Sequence, residues 1–110
     1  MPKFVTIGYG ERAGYHRTPA AVREAAHAAD ARLVAQGAVT GIAGAPVQVR
    51  NPEAAGVEVT CGALMTSEMP VAGFSVIEAQ DLDAAIAMVA GVPCAVALGV
   101  VEIWPLDEPS

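Results

Sequence analysis

Three polar side chains in the first third of the chain recur at helical spacing. Arg23, His27 and Asp30 stand at i, i+4 and i+7, so that neighbouring side chains of the row touch on a helix. Histidine titrates near neutral pH, and a carboxylate one turn further on could orient its ring and favour the protonated form. His27 and Asp30 are therefore candidate catalytic residues for acid–base chemistry, with Arg23 as a candidate ligand-binding residue. The alternative is an exposed helix histidine beside a surface acid.

Cys61 lies in the stretch VTCGALMTSE, where a strand-like run ends and the chain must turn. A thiol becomes a nucleophile when a cation, a base or a helix N-terminus lowers its pKa, and Cys61 has no histidine or arginine close to it in sequence. The position favours a small buried hydrophobic side chain. As a second interpretation, Cys61 is a candidate ligand-binding residue that opens into one pocket with His27.

The remaining histidine and cysteine predict no further site. His16, His27, Cys61 and Cys94 show no recognised ligand spacing, so we expect no metal site and no cofactor. The two cysteines lie far apart and are expected to be free thiols in an intracellular chain. Cys94, next to Pro93, is expected to pack in the core, and His16 to lie at the surface or at a dimer edge.

The elements that must position these residues alternate between strand and helix signals. A strand over residues 4–9 leads through a loop with Gly10, Gly14 and His16 to a helix capped by Thr18, with Pro19 in its first turn, and ended by Gly37. The second helix is capped by Asp81 and ended by Gly91 and Pro93. The other predicted strands are residues 38–43, 47–50, 57–61, 73–79 and 100–104, of which 47–50 and 57–61 form a hairpin or meander.

Each helix carries one apolar stripe that predicts packing on a sheet. The stripe of the first helix consists of Val22, Ala25, Ala26, Ala29 and Leu33, and that of the second of Leu82, Ala85, Ile86 and Val89. The order of elements predicts an α+β fold, a ferredoxin-like βαββαβ plan with an extra short strand. We expect one domain, residues 1–106, and a short acidic tail, residues 107–110.

The strands are apolar on both sets of alternating residues, as Phe4 and Thr6 beside Val5 and Ile7 illustrate. Two helices can cover only one face of the sheet. The other face therefore predicts a homodimer through the sheet face.

Composition excludes several classes of function. The chain is 54% hydrophobic and carries a net charge of −6, which argues against non-specific nucleic-acid binding. All six basic residues lie in residues 1–50, which have a net charge of +3, so a small anion could still bind there. RNA binding on a ferredoxin-like sheet uses paired aromatics, which the run VEVTC lacks.

Residues 84–101 form an uncharged run of 18 residues, the lower limit for a membrane-spanning helix. Gly91 and Pro93 would break such a helix near its middle. The amino-terminal run MPKFVTIGYG is too short and too soon interrupted for a signal peptide. No membrane association and a cytoplasmic location are expected.

Four segments are similar to those of a known family: the first strand FVTIGYG, the histidine in EAAHAADARLVAQGAV, the run GFSVIEAQDLDAAIAMVAGVP and the closing VEIWPL. Through them the chain resembles the YCII-related (DGPF-type) family of dimeric α/β-barrel proteins over almost its whole length. The family motif Asp-Gly-Pro-Phe falls on CGAL, residues 61–64, where only Gly62 matches. Cys61 thus stands in place of the family's aspartate.

The resemblance implies a dimeric α/β barrel with a small-molecule cleft between sheet and helices, and in some members a His-Asp pair. His27 matches the family's helix histidine, whereas Asp30 is named on helical geometry alone. We therefore expect a dimeric module that binds a small organic ligand, either neutral or anionic, and has lost catalysis. The alternative is a small acid–base enzyme with His27 as proton carrier and Arg23 as an anion contact.

Overall fold

The structure of the chain is a computed structural model that describes residues 1–107. Within that range the protein is mixed α+β, as the sequence predicts, with six strands and four α-helices. The strands are β1 (Lys3–Tyr9), β2 (Val39–Ile42), β3 (Val47–Arg50), β4 (Glu58–Cys61), β5 (Val71–Glu78) and β6 (Val100–Leu106). The helices are α1 (Arg12–Arg17), α2 (Ala20–Ala35), α3 (Leu82–Val89) and α4 (Pro93–Val96). Residues 108–110 of the predicted tail lie outside the described residues.

Four strands form one antiparallel sheet in the order β2-β5-β1-β6. In the two central strands, Phe4 is opposite Ile77 and Thr6 is opposite Ser75. Directly opposed side chains point to the same face of a sheet, and Phe4 and Ile77 belong to the buried core. These four residues therefore lie on the face that the helices cover. The order is compatible with the predicted ferredoxin-like plan.

The core lies between this face and the helices α2 and α3. Ile77 is 1% exposed and is the largest fully buried side chain. Asp81 caps α3 as predicted, because its Oδ1 accepts a hydrogen bond of 2.8 Å from the backbone N–H of Ala84. Gly37 follows the end of α2 in the left-handed region, with φ of 101°, which is the predicted stop. The buried cluster consists of Phe4, Leu33, Ile77, Ala79, Ala85, Val89 and Val92.

The predicted apolar stripe of α2 is wrong for the first half of the helix. Ala26 and Leu33 are buried, but Val22 is 40% exposed and Ala25 is also exposed. The buried cluster includes Leu33 of α2 but neither Val22 nor Ala25, so α2 contacts the core near its carboxyl end rather than along the whole predicted stripe. The stripe of α3 is likewise narrower than predicted, since Ala85 and Val89 are buried whereas Leu82 and Ile86 are about half exposed.

The loop predicted between β1 and α2 is partly wrong, because it contains the short helix α1. Its first turn closes through the backbone N–H of Tyr15 and the carbonyl of Glu11, 3.1 Å apart. Thr18 was predicted to cap α2, but its buried hydroxyl donates to the carbonyl of Gly14 at 2.9 Å and so closes α1. Helix propensity does not predict α1, because the helix contains Gly14 and has only about one and a half turns.

The uncharged run of residues 84–101 does not form one helix. It is divided between α3, the short helix α4 that begins at Pro93, and the start of β6. Within residues 1–107, no helix has the length and apolar character needed to cross a bilayer.

The region between β2 and β5 contains two extra strands where the plan allowed for one. β3 and β4 pair only with each other, as an antiparallel hairpin. The hairpin itself is confirmed, and it forms a sheet separate from the four-stranded one.

The second face of the four-stranded sheet is mainly apolar, with Lys3, Glu78 and Glu102 as its charged residues, and is uncovered by the residues that the structure describes. Val5 and Ile7 of β1 are opposite Trp104, Val76 and Phe74 in the register of the sheet. Trp104 is 52% exposed and Phe74 is 48% exposed. The expectation that helices shelter only one face is confirmed.

Candidate functional site

An open cleft of about 390 Å³ lies between the helices and the sheet. The helix side is formed by α2, the end of α3 and the start of α4, and the sheet side by β1, β2, β5 and β6. Such a volume lies at the lower end of the range for small-molecule sites. The lining consists of Thr6, Gly8, His27, Asp30, Leu33, Thr40, Gly41, Ile42, Ala72, Gly73, Phe74, Ser75, Val89, Val92, Pro93, Cys94 and Val101.

The sheet side of the cleft is built around two glycines and two hydroxyls. A Cβ at Gly73 would lie 2.6 Å from the carbonyl oxygen of Gly41, so only glycine allows β2 and β5 this close approach. The hydroxyls of Thr6 and Ser75 hydrogen-bond to each other across β1 and β5. The sheet thus offers polar groups in an otherwise apolar wall.

His27 lines the cleft from α2 and is itself exposed, as in the alternative interpretation of an exposed helix histidine. Its ring contacts a residue of α1. The hydroxyl of Tyr15 lies 2.7 Å from Nε2 of His27, and the two rings meet edge to face with centroids 5.9 Å apart. Tyr15 donates this hydrogen bond when Nε2 is unprotonated and accepts it when Nε2 carries the proton. In both tautomers Tyr15 restricts the orientation of the imidazole.

Arg23 packs on the same tyrosine from the other direction. Its Cζ lies 5.2 Å from the centroid of the Tyr15 ring, a distance that gives a favourable cation–π contact. Its Nε is buried and has no hydrogen-bond partner within residues 1–107. Arg23 does not belong to the lining of the cleft, so its observed role is to brace Tyr15.

Asp30 of α2 and Cys94 of α4 both line the helix side of the cleft. Burial raises the pKa of the Cys94 thiol above its ordinary value of 9.0, and the negative charge of Asp30 raises it further. Cys94 is therefore a neutral thiol near pH 7 and can act as a weak hydrogen-bond donor rather than as a nucleophile.

The predicted site residues are brought together only in part. His27 and Asp30 both line the cleft, but the hydrogen-bond partner of His27 is Tyr15, and no hydrogen bond to Asp30 is present among the described residues. Cys61 lies in β4, outside the lining of the cleft that His27 lines. It is also exposed, so the expectation of a small buried side chain is wrong.

The sequence interpretation did not identify Tyr15, which contacts His27, or Cys94, which lines the cleft. Tyr15 was overlooked because α1 was not predicted. An aromatic residue that lies between a glycine-containing loop and a histidine-bearing helix could nevertheless have been named as a possible contact of that histidine. Cys94 was expected to pack in the core, but it is only half-buried and lines the cleft. His16 is exposed, as expected, and packs edge to face on Tyr15.

The cleft offers no group of ligands for a metal. No cluster of three or more histidine, cysteine, aspartate or glutamate side chains suited to an ion occurs in residues 1–107. Asp30 is the one formally charged side chain among the lining residues, and no lysine or arginine accompanies it within the described range. The arrangement can bind a small molecule through apolar contacts and hydrogen bonds, and His27 can exchange a proton with it.

Fold and cleft together define a small α+β protein with a single-histidine cleft between a helix layer and an antiparallel sheet. Comparison with known protein families and with curated proteins found no match to the chain.

Proposed function

We propose that the chain is a homodimeric module that binds a small organic molecule in the cleft between α2 and the sheet and does not turn it over. The cleft itself carries the proposal, because its walls are mainly apolar and a few polar groups converge in it: His27, Asp30 and the hydroxyls of Thr6 and Ser75. This combination is typical of small-molecule sites.

The proposed dimer is a ferredoxin-like α/β barrel of the YCII-related type. The strand order β2-β5-β1-β6, with α2 and α3 on one face, supports this plan. The exposed apolar residues of the other face, among them Phe74, Val76 and Trp104, support pairing of two sheets.

The charges of the cleft favour a neutral ligand over an anion. Asp30 contributes a negative charge to the lining, while Arg23, the proposed anion contact, stacks on Tyr15 outside it. A carboxylate ligand would be repelled by Asp30 without a matching cation. A compact apolar molecule with one amide or hydroxyl group fits these walls better.

The loss of catalysis is proposed from residues 61–64. Cys61 carries a thiol where the family that the chain resembles has an aspartate, and it lies in the β3–β4 hairpin rather than in the cleft. A reaction that needs a carboxylate at this position would lack it, because residues 61–64 contain no acidic side chain.

A thermal-shift screen with matched pairs of small amides and carboxylates, such as benzamide and benzoate, tests the binding proposal. A ligand at tenfold its Kd stabilises the native state by about 1.4 kcal/mol, which raises the Tm of a domain of this size by roughly 6 to 11 °C. We expect amides to raise the Tm more than the corresponding carboxylates.

Two variants locate the binding site. Thr40→Phe places an aromatic side chain into the cleft from β2 and is expected to abolish the shift, because Thr40 lines the cleft. Val34→Phe enlarges an exposed residue of α2 outside the lining and serves as the control. An unchanged shift in Thr40→Phe, or no shift with any compound, would refute the proposal.

A small acid–base enzyme is the alternative function. The hydrogen bond of 2.7 Å between Tyr15 and His27 favours it, because it orients the imidazole of a residue that lines the cleft together with Asp30. Turnover of any bound compound that is lost in His27→Ala and retained in His16→Ala would establish the enzyme and overturn the silent module.

A further inference from the structure

The β3–β4 hairpin projects from the body of the protein as an arm, residues 46–62. Its base is closed by a hydrogen bond of 3.0 Å from the backbone N–H of Gly62 to the carbonyl of Pro46. The radius of gyration is 16.0 Å, compared with about 13 Å for a compact domain of this size. No residue of the arm is buried, so the arm contributes nothing to the core.

The arm has one apolar and one polar face. The register places Val49 opposite Val59 and Val47 opposite Cys61, so these four side chains share a face. The opposite face carries Gln48, Arg50, Glu58 and Thr60. Each of the three valines is about 60% exposed or more. A hairpin surrounded by solvent is expected to carry polar side chains on both faces. One apolar face and one polar face are typical of antiparallel strands that pack on another surface with one side.

An isolated two-stranded hairpin is at best marginally stable in water. The apolar face of the arm therefore needs a surface to pack on. Leu64 and Met65, in the segment that returns from the arm to β5, are also exposed and extend the apolar surface towards the body.

The area of the uncovered sheet face indicates what that surface is. β1 has seven residues and the sheet has four strands; at roughly 3.3 Å per residue and roughly 4.8 Å between strands, the face measures roughly 440 Å². A stable interface buries about 800 Å² on each partner, with a range of about 600 to 1,000 Å². The sheet face alone thus lies below the standard interface size, and an additional contact would bring the dimer closer to it.

Two arms make up most of this difference. The four-residue strands of the arm give its apolar face an area of roughly 130 Å². In a two-fold dimer each protomer contributes its own arm and also the patch that the partner's arm covers. The buried area then rises to roughly 700 Å² on each partner, within the range of stable interfaces.

We propose that the β3–β4 arm is a dimerisation arm, whose apolar face packs on a second copy of this chain. The inference rests on the homodimer of the proposed function and adds a contact to it. The covered face includes Cys61, so the residue that replaces the family's aspartate is an interface residue rather than a ligand contact.

The test compares two variants of adjacent residues by analytical ultracentrifugation. Val59→Asp puts a charge on the apolar face of the arm, and Thr60→Asp puts the same charge on its polar face. We expect Val59→Asp to weaken the dimer at least tenfold and Thr60→Asp to change its dissociation constant less than twofold. Circular dichroism checks that both retain the fold, and Val49→Ser, a milder change on the same face, repeats the test without a new charge.

The outcomes separate the arm from the sheet interface. A wild-type monomer at about 100 µM would overturn the arm and the proposed dimer together. A dimer that Val59→Asp and Val49→Ser leave intact, or that Thr60→Asp weakens as much as Val59→Asp does, would overturn the arm alone. If Val100→Asp, on the exposed sheet face, dissociates that same dimer, the sheet interface stands without the arm. Slow maleimide labelling of Cys61 in the wild-type dimer, and fast labelling in Val59→Asp, would support the arm.

Discussion

The hydroxyl of Tyr15 lies 2.7 Å from Nε2 of His27, and this contact joins α1 to α2 at the edge of the cleft. Arg23 covers the other side of the tyrosine ring at 5.2 Å. The tyrosine is thus held on both sides and limits the rotation of the only histidine that lines the cleft within residues 1–107. The orientation of His27 should therefore depend on Tyr15, which is the basis of a first prediction.

Tyr15→Phe removes the hydrogen bond and keeps the ring that Arg23 and His27 contact. We expect a loss of about 0.5 to 1 kcal/mol in unfolding free energy, together with a changed ¹⁵N shift of Nε2 in His27. His16 contacts the Tyr15 ring without a hydrogen bond, so its shifts serve as the internal control. Unchanged His27 shifts would contradict the orienting role.

Cys94 makes a second prediction, because burial and then the charge of Asp30 raise the pKa of its thiol. Asp30→Asn removes the charge, lowers that pKa and increases the thiolate fraction at pH 8, so alkylation of Cys94 by iodoacetamide should accelerate about twofold or more. Glu24→Gln, an exposed change on the same helix, should leave the rate as it is. Peptide mapping separates Cys94 from the exposed Cys61.

The raised pKa of Cys94 also makes the free energy of unfolding depend on pH. Above pH 9.0, the ordinary value for a thiol, the unfolded chain loses this proton before the folded protein does. The contribution of Cys94 to stability is therefore complete below that pH and declines as the pH rises through the folded pKa.

Those parts of the fold that depend on local pattern were predictable. The alternation of β-branched and apolar residues locates the strands, and the carboxylate of Asp81 marks the start of α3. The short helices α1 and α4 were not, because each has too few residues for a periodic signal and is stabilised by tertiary packing.

The composition of the cleft was harder to predict than the fold. His27 and Asp30 could be named because they stand three positions apart on one helix. The partnership of Tyr15 with His27 depends on the angle between α1 and α2, and the contrast between Cys61 and Cys94 depends on which element each one packs against. Neither quantity is a local property of the sequence.

Tyr9 makes a third prediction on the uncovered sheet face. Desolvation raises the pKa of its phenol above 10.0, and the carboxylate of Glu102, whose Oε1 accepts the Tyr9 hydrogen bond at 3.2 Å, raises it further. Glu102→Gln should lower this pKa. In a Tyr15→Phe background Tyr9 is the only tyrosine, so its ultraviolet absorbance reports the titration directly. A titration curve that Glu102→Gln leaves unmoved would argue against the contact.

Ile77 makes a fourth prediction, about stability. Its side chain is 1% exposed among Phe4 and Leu33 in the core, so Ile77→Ala leaves a cavity and should cost about 2 to 5 kcal/mol. Ile42→Ala deletes the same atoms at a site that is 95% exposed and should cost less than about 0.5 kcal/mol. Urea unfolding of the two variants measures both, and similar losses would show that Ile77 is not central to the core.

Gly8 makes the last prediction, because it sets the distance between β1 and Cys94. A Cβ at Gly8 would lie 2.8 Å from Sγ of Cys94, closer than the two atoms can pack. Gly8→Ala should therefore destabilise the protein by about 1 to 3 kcal/mol, despite the better strand propensity of alanine.

A double-mutant cycle identifies the cause of that loss. Cys94→Ala removes Sγ and leaves Cβ of residue 94 at 3.3 Å, so Gly8→Ala should cost much less in this background. Gly10→Ala, whose Cβ would lie 3.9 Å from the same sulfur, makes an ordinary contact and controls for the loss of glycine flexibility. Gly8 and Cys94 line the cleft together. Additive losses of unfolding free energy in the cycle would mean that Sγ of Cys94 does not pack against Gly8.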